Sequence, residues 1–421
     1  MGRGSLRLYR WRDPPVVGVA LLALAAGFGQ FGAVAALGDV ARTFGHLHHG
    51  ATFADEAGLS GTVLGVGLAV SRLASLGGLP LAGLADRFGR RPTLLGTCAL
   101  GLLLTTTAAL APTYWWFVAI FALGRPFLSA TQGVTQVVAV ELTSATQRAT
   151  AVALVAAGYA VGAGALAVIH SLASGTLGFR GVFALSVVPL AFLPWIARLV
   201  VEPSRYARVT ASEHRPPVLG PVARPYRRRL LLVVALAFAV SVITGPANSL
   251  VYIYAQNILH VSGIVTSAMV VAAGVAGLGG LVVGRWLADR WGRRPTVAVS
   301  MVGMALCGTL AYTGSEAALL VGYVLGVTAG AVFAPAGGAL ANELFPTAIR
   351  ASVAGWYVAA GVLGAVVGLV AFGAAADVGG VGDHTGFAAA VVFLPATCFA
   401  GLLALLPETR GKELEALWAE P

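Results

Sequence analysis

Twelve long apolar runs limit what this chain can fold into more than any other feature. A helix of about 20 apolar residues crosses a bilayer core of about 30 Å. Runs near that length fall at approximately 15–38, 58–82, 93–111, 114–138, 149–172, 182–201, 229–254, 263–287, 296–313, 317–340, 351–375 and 386–406. Inside lipid every backbone N–H and C=O must be satisfied within the segment, so each run is expected to be a helix. Short turns, Ala111-Pro112-Thr113 and Thr313-Gly314-Ser315, divide two stretches that are each long enough for two crossings. Composition agrees: 10% of the 421 residues are charged and 58% are hydrophobic. Soluble domains carry roughly 25% charged residues. The 55 glycines suit close helix packing in lipid. The expected fold is an all-α membrane protein with twelve transmembrane helices.

Charge placement sets the topology. One set of loops holds the N-terminal arginines, Arg87/Arg90/Arg91, Arg148, the stretch 202–229, Arg290/Arg293/Arg294, Arg350, and Arg410 with Lys412. The other set holds only Arg42 and Arg180. Basic loops stay in the cytoplasm, so both termini are expected inside and the number of spans must be even. The expected location is the cytoplasmic (inner) membrane. Tyr114, Trp115, Trp116, Trp195 and Tyr312 fall near run ends, where an interfacial aromatic belt belongs. The net charge of +10 raises the question of nucleic acid. The basic residues lie in short clusters between apolar runs, however, and face lipid heads rather than a nucleic-acid partner. Arg3, Arg7, Arg10 and Arg12 resemble the start of a signal peptide, but the run that follows is too long and lacks a small-residue cleavage site, so a retained first span is expected. Cys98, Cys307 and Cys398 lie within apolar runs, match no metal spacing and are expected to be buried packing residues.

The chain repeats itself. Asp86-Arg87-Phe88-Gly89-Arg90-Arg91-Pro92-Thr93 recurs 203 residues later as Asp289-Arg290-Trp291-Gly292-Arg293-Arg294-Pro295-Thr296. Glu141, Arg148 and Gly162 recur 202 residues later as Glu343, Arg350 and Gly364. Residues 202–228 form a polar, Pro- and Arg-rich stretch between the copies. The expected organisation is a six-helix bundle over 1–201, a cytoplasmic linker over 202–228 and a second six-helix bundle over 229–421 with a short cytoplasmic tail, the two bundles being related by internal repeat. Such repeats are common in secondary transporters.

The doubled D-R-x-G-R-R-P-T loop resembles the signature loop of the major facilitator superfamily. The leading Gly of that pattern is displaced by one residue, to Gly83 and Gly284, where Ala82 and Arg285 hold the usual places. Glu343-Leu344-Phe345-Pro346-Thr347-Ala348-Ile349-Arg350 and Pro407-Glu408-Thr409-Arg410-Gly411-Lys412-Glu413-Leu414-Glu415 resemble loops of the sugar-porter and metabolite-symporter branch. Glu202-Pro203-Ser204-Arg205 is a weaker counterpart, and Gly245, Asn248, Tyr252 and Tyr254 echo that branch's substrate helix. Two features differ. Proton symporters of that type carry an Asp in span 1, where this chain reads Phe28-Gly29-Gln30-Phe31. Proton-linked drug antiporters follow G-x-x-x-G with Pro in span 5, where Ala163 follows Gly158 and Gly162.

The resemblance implies a cytoplasmic gate made by Asp86, Arg87, Gly89, Arg90, Arg91, Glu141 and Arg148 in one half and by Asp289, Arg290, Gly292, Arg293, Arg294, Glu343 and Arg350 in the other, extended by Glu408 and Arg410. Positive loops alone would serve topology, but they do not require the recurring acids. Within the membrane, Arg72 and Arg125 stand mid-span, and such charges face an interior or a watery cavity. Helical spacing from Arg125 places Ser129, Gln132 and Gln136 on one polar stripe. Arg125 also fits the family's span-4 Arg. Ser241, Asn248 and Tyr252 share a face of span 7, which Gly245-Pro246 interrupts. Gln30 and Tyr159 are further cavity candidates. The structural alternatives are an Arg bonded to backbone carbonyls and a packing kink in span 7.

No enzyme motif and no P-loop are present, which argues against an ATP-driven pump. Neither a cofactor nor a metal is expected. His46, His48 and His49 lie near Asp55 and Glu56 but read as a solvated loop. The reading is a secondary active transporter of a small organic solute by alternating access, a proton symporter by family, monomeric, with the two arginines favouring an organic anion. Asp39 is the nearest acid that could replace the missing span-1 carboxylate. The alternatives are a drug or metabolite efflux transporter and a transporter-like sensor that binds solute without flux.

Overall fold

The computed structural model describes residues 8–45, 53–144, 147–173, 177–203, 224–378 and 384–410. The expected histidine cluster, most of the linker and the tail beyond Arg410 lie outside them. Among the described residues, twelve helices are long and apolar enough to cross a membrane. They are α1 (Pro14–Phe44), α2 (Gly61–Gly83), α3 (Arg90–Leu110), α4 (Tyr114–Leu142), α5 (Thr150–His170), α6 (Gly178–Leu199), α7 (Arg224–Ser249), α8 (Gly263–Arg290), α9 (Arg293–Ala311), α10 (Glu316–Ala341), α11 (Ser352–Val378) and α12 (Thr385–Leu405). No strand occurs among the described residues; Tyr9 and Thr143 make one isolated bridge. The chain is an all-α, multi-pass membrane protein.

Local chemistry places the helix starts. Thr113 accepts from the Trp116 N–H, Ser262 from Val265 and Ser315 from Ala318. A hydroxyl at the N-cap satisfies a donor that the helix leaves unpaired. α3 and α9 begin differently. Gly89 and Gly292 precede them with φ of 104° and 113°, a conformation that side-chain-bearing residues rarely adopt. The duplicated glycine of the charged motif is therefore a backbone requirement at two equivalent helix starts.

The chain divides into two compact units: Met1–Ala36 with Ala74–Arg215, and Leu37–Leu73 with Pro216–Pro421. In the first, α1 and α5 pack backbone to backbone. A Cβ added at Gly162 would stand 2.0 Å from the Leu24 carbonyl oxygen, and one at Gly158 would stand 2.5 Å from that of Ala20. In the second, α7 and α11 repeat this contact: a Cβ at Gly364 would stand 2.1 Å from the Phe238 carbonyl oxygen and one at Gly368 2.3 Å from that of Val242. The Gly162/Gly364 match seen in the sequence is thus the same helix crossing made twice. Aromatic clusters fill each unit, Phe117, Phe121, Phe179 and Phe183 in one and Tyr312, Phe372 and Phe393 in the other.

Residues 37–73 come from the first repeat but group with the second unit. The reason is local. The Asp377 carboxylate accepts the Gly61 N–H at 2.6 Å and the Thr62 N–H at 2.8 Å, capping the start of α2. Below it, Gly65 runs against the Leu369 carbonyl and Gly373 against that of Gly61. Asn257 donates to the carbonyls of Gly38 and Ala57 at 3.3 Å each. Of the cysteines, Cys98 is buried, but Cys307 is half-buried and Cys398 is exposed, since apolar surface here need not face a protein interior.

Candidate functional site

The charged motifs form a matched pair of clamps, one per unit. In the first, Arg90 grips Glu141 side-on, Nε to Oε2 at 3.2 Å and Nη2 to Oε1 at 3.0 Å. This bidentate geometry is the stronger kind of ion pair, and Arg90 is buried. The backbone N–H groups of Arg90 and Arg91 donate to Glu202 at 2.6 and 2.9 Å. The Arg91 guanidinium donates to the carbonyls of Ala197 and Val200 at 2.9 and 2.8 Å. The start of α3 is thereby tied to the ends of α4 and α6.

In the second unit Arg293 divides its guanidinium between Asp289 at 3.2 Å and Glu343 at 3.3 Å. The N–H groups of Arg293 and Arg294 donate to Glu408 at 2.9 and 3.0 Å. Burial pushes the Glu408 carboxyl up, but backbone N–H groups of Arg293, Arg294, Arg410 and Thr409 hold it net below its ordinary value. Glu202 and Glu408 therefore do the same work at the two Gly-led helix starts, where a carboxylate also meets the positive end of the helix dipole. Arg87 and Arg290 are exposed, Arg290 lying 5.3 Å from the Trp286 ring centre. The side chains of Asp86, Arg148 and Arg350 lie outside the described residues.

The intramembrane candidates fall into two groups. In the first unit, Arg125 Nη1 donates to Gln30 Oε1 at 3.2 Å and to the Gln30 carbonyl at 3.5 Å. Tyr159 donates to the same Oε1 at 3.2 Å, and Phe121 lies 5.7 Å from the guanidinium carbon. Arg125 is 9% exposed and Gln30 6%. Gln30 Nε2 is buried without a hydrogen-bond partner. Three candidates from α1, α4 and α5 thus meet at one point. Gln132 is half-buried and Gln136 exposed farther along α4.

In the second unit, Arg72 of α2 lines a cavity of about 300 Å³ with Ser241, Thr244, Gly245 and Asn248 of α7 and Gly361 of α11. Arg72 Nη2 reaches Ser249 Oγ at 3.3 Å. Thr244 and Asn248 also line a second cavity of about 270 Å³ between α7, α9 and α10. Tyr252 lies apart from both: it is fully buried, with its hydroxyl 3.4 Å from Ser267 Oγ. The helix stops at Ser249, and a wider helical turn over Tyr254–Ile258 follows, so the spacing that aligned Tyr252 with Ser241 and Asn248 does not persist. Sequence reasoning did not single out Asp377, and gave Glu202 only as a weaker loop counterpart. The reversed order of Glu202-Pro203 and Pro407-Glu408 was the one signal for the latter. Among the described residues no group of His, Cys, Asp and Glu side chains could hold a metal.

Comparison with known proteins bears on the family and the fold. The chain matches the family described as the Major Facilitator Superfamily over residues 19–288 and 249–417. It is 28% identical over 376 residues to a Cupriavidus pinatubonensis protein named "Probable 4-methylmuconolactone transporter", covering 86% of this chain and 83% of that one. A crystal structure of a D-xylose–proton symporter superposes with a TM-score of 0.74 at 21% identity, covering 95% of this chain and 99% of that one. That of a nucleoside transporter superposes with a TM-score of 0.72 at 15% identity, covering 96% and 99%.

Proposed function

We propose that this chain, which belongs to the major facilitator superfamily and is a transporter rather than an enzyme, carries a small organic anion across the cytoplasmic membrane. The observation that carries this reading is the Arg72 cavity. An intramembrane Arg costs at least about 2.5 kcal/mol at a helix centre, and a planar guanidinium matches a carboxylate. Here it shares a cavity wall with the Ser241 and Thr244 hydroxyls and the Asn248 amide.

The moving bodies are the two bundles, 1–201 and 229–421, joined by the linker 202–228, with both termini cytoplasmic and the protein a monomer. The charged clamps keep the helix ends of each bundle together at the cytoplasmic face while alternating access proceeds. Proton co-transport completes the reading. An anion entering against an inside-negative potential is opposed by about 2.3 kcal/mol per charge per 100 mV, and a co-transported proton cancels that charge.

A thermal-shift screen in detergent tests the anion class, because a ligand that binds the folded state raises its melting temperature. The panel holds organic acids including 4-methylmuconolactone, neutral sugars, amino acids and lipophilic cations. Organic acids are expected to stabilise wild type and to lose that effect in Arg72→Gln. Stabilisation by sugars or cations, equal in both proteins, contradicts the proposal.

A further inference from the structure

The two cavities of the second unit share a wall and differ in chemistry. Thr244 and Asn248 line both. Part of their hydrogen-bonding capacity is used within α7: Thr244 Oγ1 donates to the Val240 carbonyl at 3.1 Å, and one N–H of Asn248 Nδ2 donates to that of Thr244 at 2.9 Å. The first cavity carries the Arg72 guanidinium. The second is walled by Met304, Tyr312, Tyr323 and the glycines Gly308, Gly326 and Gly330. Tyr312 is nearly fully buried, and its hydroxyl is committed to the Ala247 carbonyl at 3.0 Å. Glycine, methionine and aromatic walls make this space mainly apolar, and the Tyr312 hydroxyl among them is already bonded. An apolar cavity of about 150 Å³ is enough to hold benzene, so about 270 Å³ admits a substituted six-membered ring.

We infer that the second cavity is a specificity pocket for the apolar ring of the transported anion, whose carboxylate is held at Arg72. The substrate class is then a compact cyclic carboxylate, rather than a short aliphatic acid or a sugar. This rests on the anion reading above. The glycines set the pocket's size, and Gly326 is the position at which that is cleanest to test. A Cβ there would meet only ordinary contacts, with the nearest atoms being Cys307 Cβ and Gly308 N at 3.7 Å. Gly330 is similar, with Met304 Sδ at 3.5 Å. By contrast Gly322 tolerates no Cβ, since Ala311 N would lie 2.5 Å away.

The test is equilibrium binding of labelled benzoate, acetate and benzyl alcohol to the full-length protein in nanodiscs. Wild type is compared with Gly326→Val, Gly330→Ala and Arg72→Gln. Wild type is expected to bind benzoate more tightly than acetate or benzyl alcohol. Gly326→Val is expected to weaken benzoate by roughly 10- to 200-fold, the discrimination that a methylene-sized mismatch gives in an apolar pocket. Its acetate affinity should stay at the wild-type value, and Gly330→Ala should weaken benzoate less. Benzoate bound no more tightly than acetate, or unaffected by Gly326→Val, overturns the ring pocket while leaving the anion reading intact. Benzyl alcohol bound as tightly as benzoate, with Arg72→Gln unchanged, overturns the anion reading on which the inference rests.

Discussion

Arg125 and Arg72 are the same residue in the same kind of apolar helix, yet their surroundings differ. Arg125 is buried against Gln30, two of whose oxygens it contacts, beside Tyr159 and Phe121. Arg72 is half-buried and forms part of the wall of a cavity. An intramembrane arginine therefore does not declare its role by identity or depth. What separates the two is the setting of the guanidinium, packed side chains in one case and a cavity wall in the other.

That contrast is open to attack at several points. The largest effect is expected from Arg125→Ala, which removes two charge-assisted bonds worth about 1.5 kcal/mol each and should lower stability by roughly 3 kcal/mol. Arg72→Ala removes the bond to Ser249 among its contacts and is expected to cost less than Arg125→Ala. Thermal melts of the two variants side by side read the difference, and equal losses would break the contrast. Next in size is ligand affinity. Arg72→Gln should weaken a bound organic acid by roughly 1.5–3 kcal/mol, the range for a hydrogen bond to a charged group, with a smaller fall in the ligand-free melting temperature than Arg125→Ala gives. Smaller still is Tyr159→Phe, which deletes a single bond to Gln30 Oε1 and should cost about 0.5–1.5 kcal/mol. A normal melt for Tyr159→Phe would show that the first cluster is less tightly knit than its geometry implies.

Acidification gives the mildest effect and separates the membrane face from its interior. Glu408 has a folded value lowered from 4.5, so its contribution to stability is full above that ordinary value and is lost as pH falls through the lowered one. Glu408→Gln should flatten the acid limb of a stability–pH curve. The Arg72 and Arg125 variants should leave that limb unchanged, because neither arginine titrates in this range.

Much of the architecture was legible from local pattern. The apolar runs marked twelve spans, and the repeated D-R-x-G-R-R-P-T and the Gly162/Gly364 match marked a duplication. That the first is a pair of helix starts with Gly at positive φ, and the second a helix crossing made twice, is added by the structure. What escaped depends on contacts between distant residues. Gln30 and Arg125 are 95 positions apart and Gly61 and Asp377 are 316 apart, and no spacing rule connects them. Asp377 also bonds mainly to backbone N–H groups, which every non-proline residue has, so its partner leaves no mark in the sequence. Tyr252 was misaligned because helical spacing was extended past Ser249, where the helix ends. The grouping of 37–73 with the second unit depends on those same distant contacts, while the repeat assigns the segment to the first half.

The most direct test of the anion-carrier account is flux. Purified wild type and Arg72→Gln would be reconstituted into proteoliposomes, and uptake of labelled benzoate and 4-methylmuconolactone followed with and without an imposed inward proton gradient. The account predicts saturable, gradient-stimulated uptake by wild type and loss of that uptake in Arg72→Gln, with both proteins folded and equally incorporated. Uptake that is the same in both proteins, or that belongs to a neutral sugar instead, would contradict it.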